Sequence, residues 1–204
     1  MNLSMAPLTP DLWPAFEDLF GRQGACYGCW CTYFRLPPAM RKASNGEKNR
    51  LIMKARVEAG PPPGLLALAG DRAVGWMQIG PRADVPEWNN AGRVSAPLVA
   101  GDATDAAVWA ISCFFVRRDA RGQGVTHRLV EAGVEYARSH GARQLEACPM
   151  REAKTSGSTG LFVGSQQVFV KAGFEIMAER KPGRPLMRLV LRDGAPKTEA
   201  GIRG

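Results

Sequence analysis

The residues whose types and order most clearly imply chemistry are Arg121-Gly122-Gln123-Gly124-Val125. They follow an almost unbroken apolar run, Val108 to Val116, and precede a segment, Val125 to His140, with apolar residues at helical spacing. A glycine-rich turn between a strand and a helix lets the backbone approach a ligand closely. The first N–H groups of the helix, and the positive end of its dipole, then face an anion. Arg117, Arg118, Arg121 and Arg128 add positive charge around the turn. Together these features imply a phosphate-bearing ligand. Two phosphate-binding patterns are excluded. A dinucleotide fingerprint needs a third glycine where His127 stands, and no Gly-Lys-Ser/Thr follows to complete a Walker A loop.

A second group is Cys26, Cys29 and Cys31, set among Tyr27, Trp30 and Tyr33. Five cysteines in all, an odd number, argue against a disulfide framework. The Cys-x-x-Cys-x-Cys spacing invites a zinc reading, but a structural zinc site wants four ligands. Only Cys113 and Cys148 remain, both in segments that read as core strands. No metal is expected, and the cluster is read as apolar packing or the wall of a pocket.

The elements that position these groups follow from periodicity and turn residues. Thr9-Pro10-Asp11 reads as a helix start, with Leu12, Phe16 and Leu19 on one face and Gly21 as the stop. Glu47 to Ala59 reads as a second helix, ended by Gly60-Pro61-Pro62-Pro63-Gly64. Leu65 to Ala69 and Ala73 to Ile79 read as a hairpin turning at Gly70-Asp71. Pro81 to Ala106 has little periodicity and reads as a long functional loop. Val108 to Val116 is a strand buried on both faces. Val130, Val134 and Ala137 form the core stripe of the Val125 to His140 helix, and Gly141 stops it. Gln144 to Cys148 is a short strand, Lys154 to Gly164 a loop, and Ser165 caps a helix running to Ala172. Phe174 to Arg180 and Pro185 to Leu191 complete the strands. The expected architecture is α/β, with helices on both faces of a mixed sheet. One domain is expected over residues 1–192, with a disordered polar tail over 193–204.

The 204-residue chain is long enough for a sizeable single core. Its hydrophobic and charged fractions, 45% and 23%, are those of a globular protein. No apolar run approaches the roughly 18 residues of a membrane helix, and Met1 to Pro10 lacks the pattern of a secretion signal. A cytoplasmic location is expected. The net charge of +8 favours anionic partners and weighs against polycationic ones.

Phe114-Phe115-Val116 followed by Arg121-Gly122-Gln123-Gly124 resembles the acyl-CoA motif of the GNAT superfamily of N-acetyltransferases, Arg/Gln-x-x-Gly-x-Gly/Ala. Val168-Phe169-Val170-Lys171-Ala172-Gly173-Phe174 resembles the last characteristic piece of that family, a helix ending in Gly-Phe. The resemblance covers about Leu65 to Leu191. Two positions depart from the pattern. Thr126 stands where Gly or Ala is usual, and Phe169 stands where many members have a tyrosine that protonates the departing thiolate. This chain cannot use that acid, and Tyr33 or Tyr27 would have to replace it.

The resemblance implies a mostly antiparallel central sheet splayed between the strands Trp109 to Val116 and Gln144 to Cys148. The pantetheine arm of acetyl-CoA, the acyl donor, would lie in the gap. The cofactor-binding set is then Phe114, Phe115, Val116, Arg121, Gly122, Gln123, Gly124, Val125, Thr126, Ser165 and Phe169. An amine with a pKa near 10 is neutral in only about one molecule in a thousand at pH 7, so a proton acceptor is expected. Candidates are Asp84, Glu87 and Glu146, with Tyr33 as a relocated acid. The implied activity is N-acetylation of a primary amine on a small molecule, an amino-acid-like metabolite or an antibiotic. The alternatives are acetylation of a protein N-terminus or aminoacyl-tRNA, and a non-catalytic acyl-CoA-binding module. Expected partners are the small amine and a second copy in a homodimer, with no membrane and no nucleic acid.

Overall fold

The computed structural model describes residues 2–151 and 161–191. Seven strands form one sheet in the order β1-β2-β3-β4-β5-β7-β6. They are β1 (Ser4–Pro7), β2 (Gly64–Ala69), β3 (Arg72–Pro81), β4 (Val108–Val116), β5 (Gln144–Ala147), β6 (Glu175–Glu179) and β7 (Pro185–Val190). Only β4 and β5 pair in parallel; every other neighbour is antiparallel. The five α-helices among the described residues are α1 (Trp13–Phe20), α2 (Pro38–Ala43), α3 (Gly46–Ala59), α4 (Val125–Ser139) and α5 (Gln166–Lys171).

Two apolar layers sandwich the sheet. On one face Trp13, Phe16, Leu19 and Phe20 of α1 and Met53 and Val57 of α3 pack on Leu66, Ala73 and Trp76. On the other, Leu129, Val130, Val134 and Ala137 of α4 and Phe169 of α5 pack on Leu65, Met77, Ile79 and Ile111. The mixed sheet with helices on both faces is therefore as the sequence predicts. Gly133 lets α4 lie close, because a Cβ there would sit 2.4 Å from the Met77 methyl. A smaller cluster, Phe34, Val85, Trp88, Ala110, Cys148 and Leu186, lies under the segment between β3 and β4.

Several sequence-based boundaries need correction. Residues 4–7 form an edge strand that periodicity missed, because four residues ending in Pro7 show no alternation. Proline is tolerated there because an edge position can spare a backbone donor. Pro38–Ala43 is a short helix that the Pro37-Pro38 pair concealed. Pro81 to Ala106 is not structureless: it contains 3-10 turns at Arg82–Asp84, Pro86–Asn89 and Ala100–Ala103. Thr9 and Ser165 precede their helices without making a side-chain capping bond. The expected tail over 193–204, and most of the expected Lys154 to Gly164 loop, lie outside the described residues.

The pairing of β4 matters most for function. It pairs with β5 only from Val108 to Ile111, against Gln144 to Ala147. Among the described residues Ser112 to Val116 continue beside β3 alone, so the edge that faced β5 has no strand partner there. Within this stretch Ser112 is an extra residue, since Gln78 pairs with Cys113 and Ile79 with Ile111. Strict alternation would place Ile111 and Cys113 on one face. The bulge breaks it: Ile111 and Phe114 both pack on the α4 side, while Cys113 and Phe115 turn to the α1 side.

Candidate active site

The strand–turn–helix predicted from the glycines is present. Arg118–Ala120 makes one 3-10 turn after β4. Gly122 and Gly124 follow with φ of 73° and 76°, a left-handed conformation that glycine adopts without steric cost. Gly124 is the residue at the start of α4, and the first helical bond runs from the Arg128 N–H to the Gly124 carbonyl (3.1 Å). The N–H groups of Val125, Thr126 and His127 therefore have no intrahelical acceptor. Among the described residues no atom lies within 4 Å of where a Cβ would stand at Gly122 or Gly124. The turn is an open cradle of donors at a helix N-terminus, the geometry that suits a pyrophosphate.

Its arginines divide into braces and an exposed group. Arg117 donates to the Ala73 carbonyl (2.8 Å) and Asp18 (2.5 Å), and Arg128 donates to the Leu3 carbonyl (3.1 Å). Arg121, exposed, reaches back to the Val116 carbonyl (3.2 Å). Gln123 is tied by its amide to the Asp119 carbonyl (2.9 Å).

At the unpaired part of β4 a cavity of ≈ 440 Å³ opens, touching Cys113, Phe114 and Phe115 in succession. Consecutive strand side chains point to opposite faces, so a cavity that meets all three meets the strand at its edge. Its other walls come from the chain between α1 and α2: Ala25, Tyr27, Cys29, Cys31, Thr32, Tyr33 and Phe34, with Arg41 of α2, Asn49 of α3 and Phe162. The cysteine–aromatic cluster is thus a pocket wall. Among the described residues no carboxylate lines the cavity.

That wall has an unusual backbone. Ala25, Tyr27, Trp30 and Cys31 all have positive φ, between 46° and 63°, without being glycine. Such conformations cost about 1–2 kcal/mol each in L-residues and persist only where surroundings enforce them. The enforcing contacts are visible. The Trp30 ring packs on Trp13 (6.2 Å) and Phe20 (5.5 Å). Asn49 donates to the Gly28 carbonyl (2.7 Å) and Trp76 Nε1 to Cys31 Sγ (3.1 Å). Gln78 suits its neighbours with its amide nitrogen on the Cys31 carbonyl (2.9 Å) and its oxygen on Arg35 Nε (3.3 Å).

The candidate residues fall in different places. Tyr33 lines the cavity, 42% exposed, edge-on to Phe34 (4.9 Å), with the Arg41 and Arg93 guanidinium groups 4.3 and 5.2 Å from its ring. Tyr27, at 95% exposed, is at the rim. Asp84 accepts from Arg56 (2.7 Å) and lies 3.9 Å from Arg35. Glu87 lies 3.9 Å from Arg93. Glu146 is fully buried between Arg82, which donates to it, and Arg188 (2.6 Å). Burial, the largest influence, lowers the Arg82 pKa, and Glu146 opposes that shift. Tyr136 is remote, its hydroxyl 3.4 Å from the Pro62 carbonyl.

Phe169 is fully buried, edge-on to Phe114 (6.2 Å) and Phe174 (5.1 Å). It belongs to the α4-side core, where Phe114 also packs. Ser165 forms an isolated parallel bridge with Met150, just beyond the end of β5. Sequence reasoning missed Ser112, the bulge residue, whose Oγ is buried with no hydrogen-bond partner among the described residues. The sequence carries no signal for it beyond a lone polar residue inside an apolar run. Among the described residues no group of three or more His, Cys, Asp or Glu side chains is placed to hold a metal ion. No helix among them is long and apolar enough to cross a membrane.

A sheet parted between two parallel strands, with free helix N–H groups at one end of the gap and a cavity on the freed edge, suits a group-transfer enzyme with a phosphate-bearing donor. Residues 27–156 match the family model described as the acetyltransferase (GNAT) family, and the chain belongs to that family. It is an acyltransferase, and enzymes of this family draw the acyl group from acetyl-CoA. Among curated proteins no match is found. Solved structures agree in fold. That of yncA from Salmonella typhimurium with its cofactor acetyl-CoA has a TM-score of 0.53 at 14% identity, covering 95% of this chain and 96% of that one. The PaiA N-acetyltransferase from Thermoplasma acidophilum, in complex with coenzyme A, has 0.51 at 11%, covering 93% and 99%. The GNAT domain of S. lividans PAT has 0.54 at 17%, covering 92% and 89%.

Proposed function

We propose that the chain transfers an acetyl group from acetyl-CoA to a primary amine of a small molecule, an amino-acid-like metabolite or an antibiotic, by direct attack within a ternary complex. The observation that carries this reading is the unpaired β4 edge opening on the ≈ 440 Å³ cavity. That volume lies within the range of small-molecule pockets.

The α4 end supplies the donor site. The N–H groups of Gln123 to Thr126 hold the pyrophosphate, and Gly122 and Gly124 leave it room. The Ser112 to Val116 edge pairs with the pantetheine amides as an added strand would. One of its N–H groups stabilises the negative charge that develops on the acyl oxygen. Acetyl-CoA supplies the activated acyl carbon. The acceptor enters from the aromatic cavity, where the Tyr33 hydroxyl is the candidate to protonate the leaving thiolate in place of an acid at position 169. Asp84, Glu87 and Glu146 are engaged by arginines, which supports loss of the amine proton to solvent and positioning roles for the three acids. Residues 1–192 are read as one domain, supported by a single sheet spanning residues 4 to 190.

The test is release of the coenzyme A thiol from acetyl-CoA with three acceptor sets: small apolar amines, free amino acids, and peptides with free N-termini. Turnover confined to the first two sets supports the proposal. Turnover of peptides alone would assign a macromolecular acceptor. Binding of acetyl-CoA without turnover of any amine would leave a binding module.

A further inference from the structure

Two thiols in the cavity wall meet across the fold. Cys31 and Cys113 are 82 residues apart in sequence, yet their Sγ atoms lie 3.1 Å apart. Both are reduced. A disulfide brings sulfurs to about 2.05 Å, so a movement of roughly an ångström would join them. Both line the cavity, so a small oxidant that enters it reaches them although Cys31 is otherwise buried. The Trp76 indole N–H that donates to Cys31 Sγ would also serve a sulfur bearing negative charge.

We propose that Cys31 and Cys113 are a peroxide-oxidisable pair whose disulfide fastens the cavity wall to β4 and slows the enzyme. Cys31 sulfur attacks one oxygen of hydrogen peroxide. The O–O bond breaks, the second oxygen leaves as water with the thiol proton, and Cys31 becomes a sulfenic acid. Cys113 sulfur attacks that sulfur, the S–O bond breaks, and the hydroxyl leaves as water with the Cys113 proton. Two thiols lose one electron each, and peroxide is reduced to two waters.

Two other thiols, Cys29 and Cys148, are poorer competitors. Burial, then the nearby charge of Cys31, pushes the Cys29 pKa up to about 11, which keeps it protonated at neutral pH. Burial also raises that of Cys148, which packs in the separate cluster with Phe34 and Leu186. The joined sulfurs would tie the Ala25 to Phe34 wall to the β4 edge across the cavity both cysteines line, narrowing the space through which an acceptor reaches the thioester. This last step rests on the acetyl-transfer reading; the cross-link does not.

The experiment treats the purified protein with hydrogen peroxide, removes the excess, and maps non-reduced peptides by mass spectrometry. The expected product joins Cys31 to Cys113, lighter by two hydrogens than the two reduced peptides, and is reversed by dithiothreitol. It disappears in Cys31→Ser and in Cys113→Ser and persists in Cys148→Ala. The oxidised protein melts higher by roughly 5 °C, as expected for closing a long loop. Its turnover with amine falls by roughly tenfold and is restored by the reductant. Sulfinic acid on one cysteine, or a cross-link through Cys26 or Cys29, overturns the proposal. Should the serine variants fail to fold, the wild-type peptide map alone decides it. A correct cross-link with unchanged turnover overturns the gating step. If neither form acetylates any amine while the cross-link forms, the acetyl-transfer reading fails and the thiol pair stands.

Discussion

The two ends of the β4 gap are built by opposite means. The end proposed to hold the donor is backbone: two glycines in the conformation they prefer, the first N–H groups of a 15-residue helix, and, among the described residues, open space around them. The wall proposed to receive the acceptor is side chain, with four non-glycine residues held in left-handed conformation by tryptophans, an amide and a thiol. A backbone site needs few particular residues and binds a group common to many enzymes. A wall that must be forced into shape can be remade for another acceptor by substituting the side chains that line it.

The sharpest way to test this division is to break one end and read both. Gly124→Glu places an anion in the cradle and a Cβ at φ 76°. The strain costs about 1–2 kcal/mol, so Gly124→Ala is the control for strain alone. In Gly124→Glu the expected loss of acetyl-CoA affinity is at least about 100-fold, seen as disappearance of the ligand-induced rise in melting temperature. The alanine variant should keep most of that rise. If the glutamate variant keeps it too, the pyrophosphate does not sit on this turn.

Asp84→Asn should separate stability from chemistry. Its carboxylate faces Arg56 at 2.7 Å and Arg35 at 3.9 Å. Burial, then repulsion from Arg56, already pulls the Arg35 pKa down to about 10, and Asp84 opposes this. Removing the charge leaves two guanidinium groups facing each other. The side chain is 29% exposed, so the expected cost is about 1–3 kcal/mol, below that of a fully buried pair. Urea melts measure it, and the acetyl-CoA-induced shift should be unchanged.

Tyr33→Phe keeps the edge-on ring contact with Phe34 and removes the hydroxyl. Turnover with amine should fall by roughly 10- to 100-fold if that hydroxyl protonates the thiolate, with acetyl-CoA affinity unaltered. Unchanged turnover would make Tyr33 a wall residue only.

The same division governs how much the sequence discloses. The cradle was legible because glycine, strand and helix are local, and residue type alone dictates the backbone they allow. The core stripe Val130, Val134 and Ala137 was legible for the same reason, and all three are buried. The Ser112 bulge was not, because it exists only in the register of β4 against β3. The contact between Cys31 and Cys113 and the engagement of Glu146 by Arg82 and Arg188 were equally hidden. Each joins segments far apart in sequence, and no periodicity encodes such a meeting. Edge strand β1 escaped because four residues are too few to display a period.

The smallest expected effect is that of Glu87→Gln, and it decides whether the acceptor wall contains chemistry beyond Tyr33. Glu87 lies 3.9 Å from Arg93, whose guanidinium stands 5.2 Å from both the Tyr33 and Phe34 rings. The Glu87 N–H also donates to the Phe34 carbonyl (3.0 Å). The carboxylate therefore touches the wall through Arg93 and the backbone and does not itself line the cavity. A general base must come within about 3 Å of the proton it removes, directly or through one water, and would contribute roughly 100- to 10,000-fold. A positioning group works through its neighbours and contributes far less. Glutamine keeps the shape and a hydrogen-bonding amide, so only the hold on Arg93 weakens. The expected result is a KM for amine raised by roughly threefold, with kcat nearly unchanged and the deficit flat in pH. A base gives the opposite profile: a large loss near pH 7 that shrinks as the amine loses its own proton at higher pH. That profile would place proton transfer at Glu87, making the acceptor wall a second chemical centre.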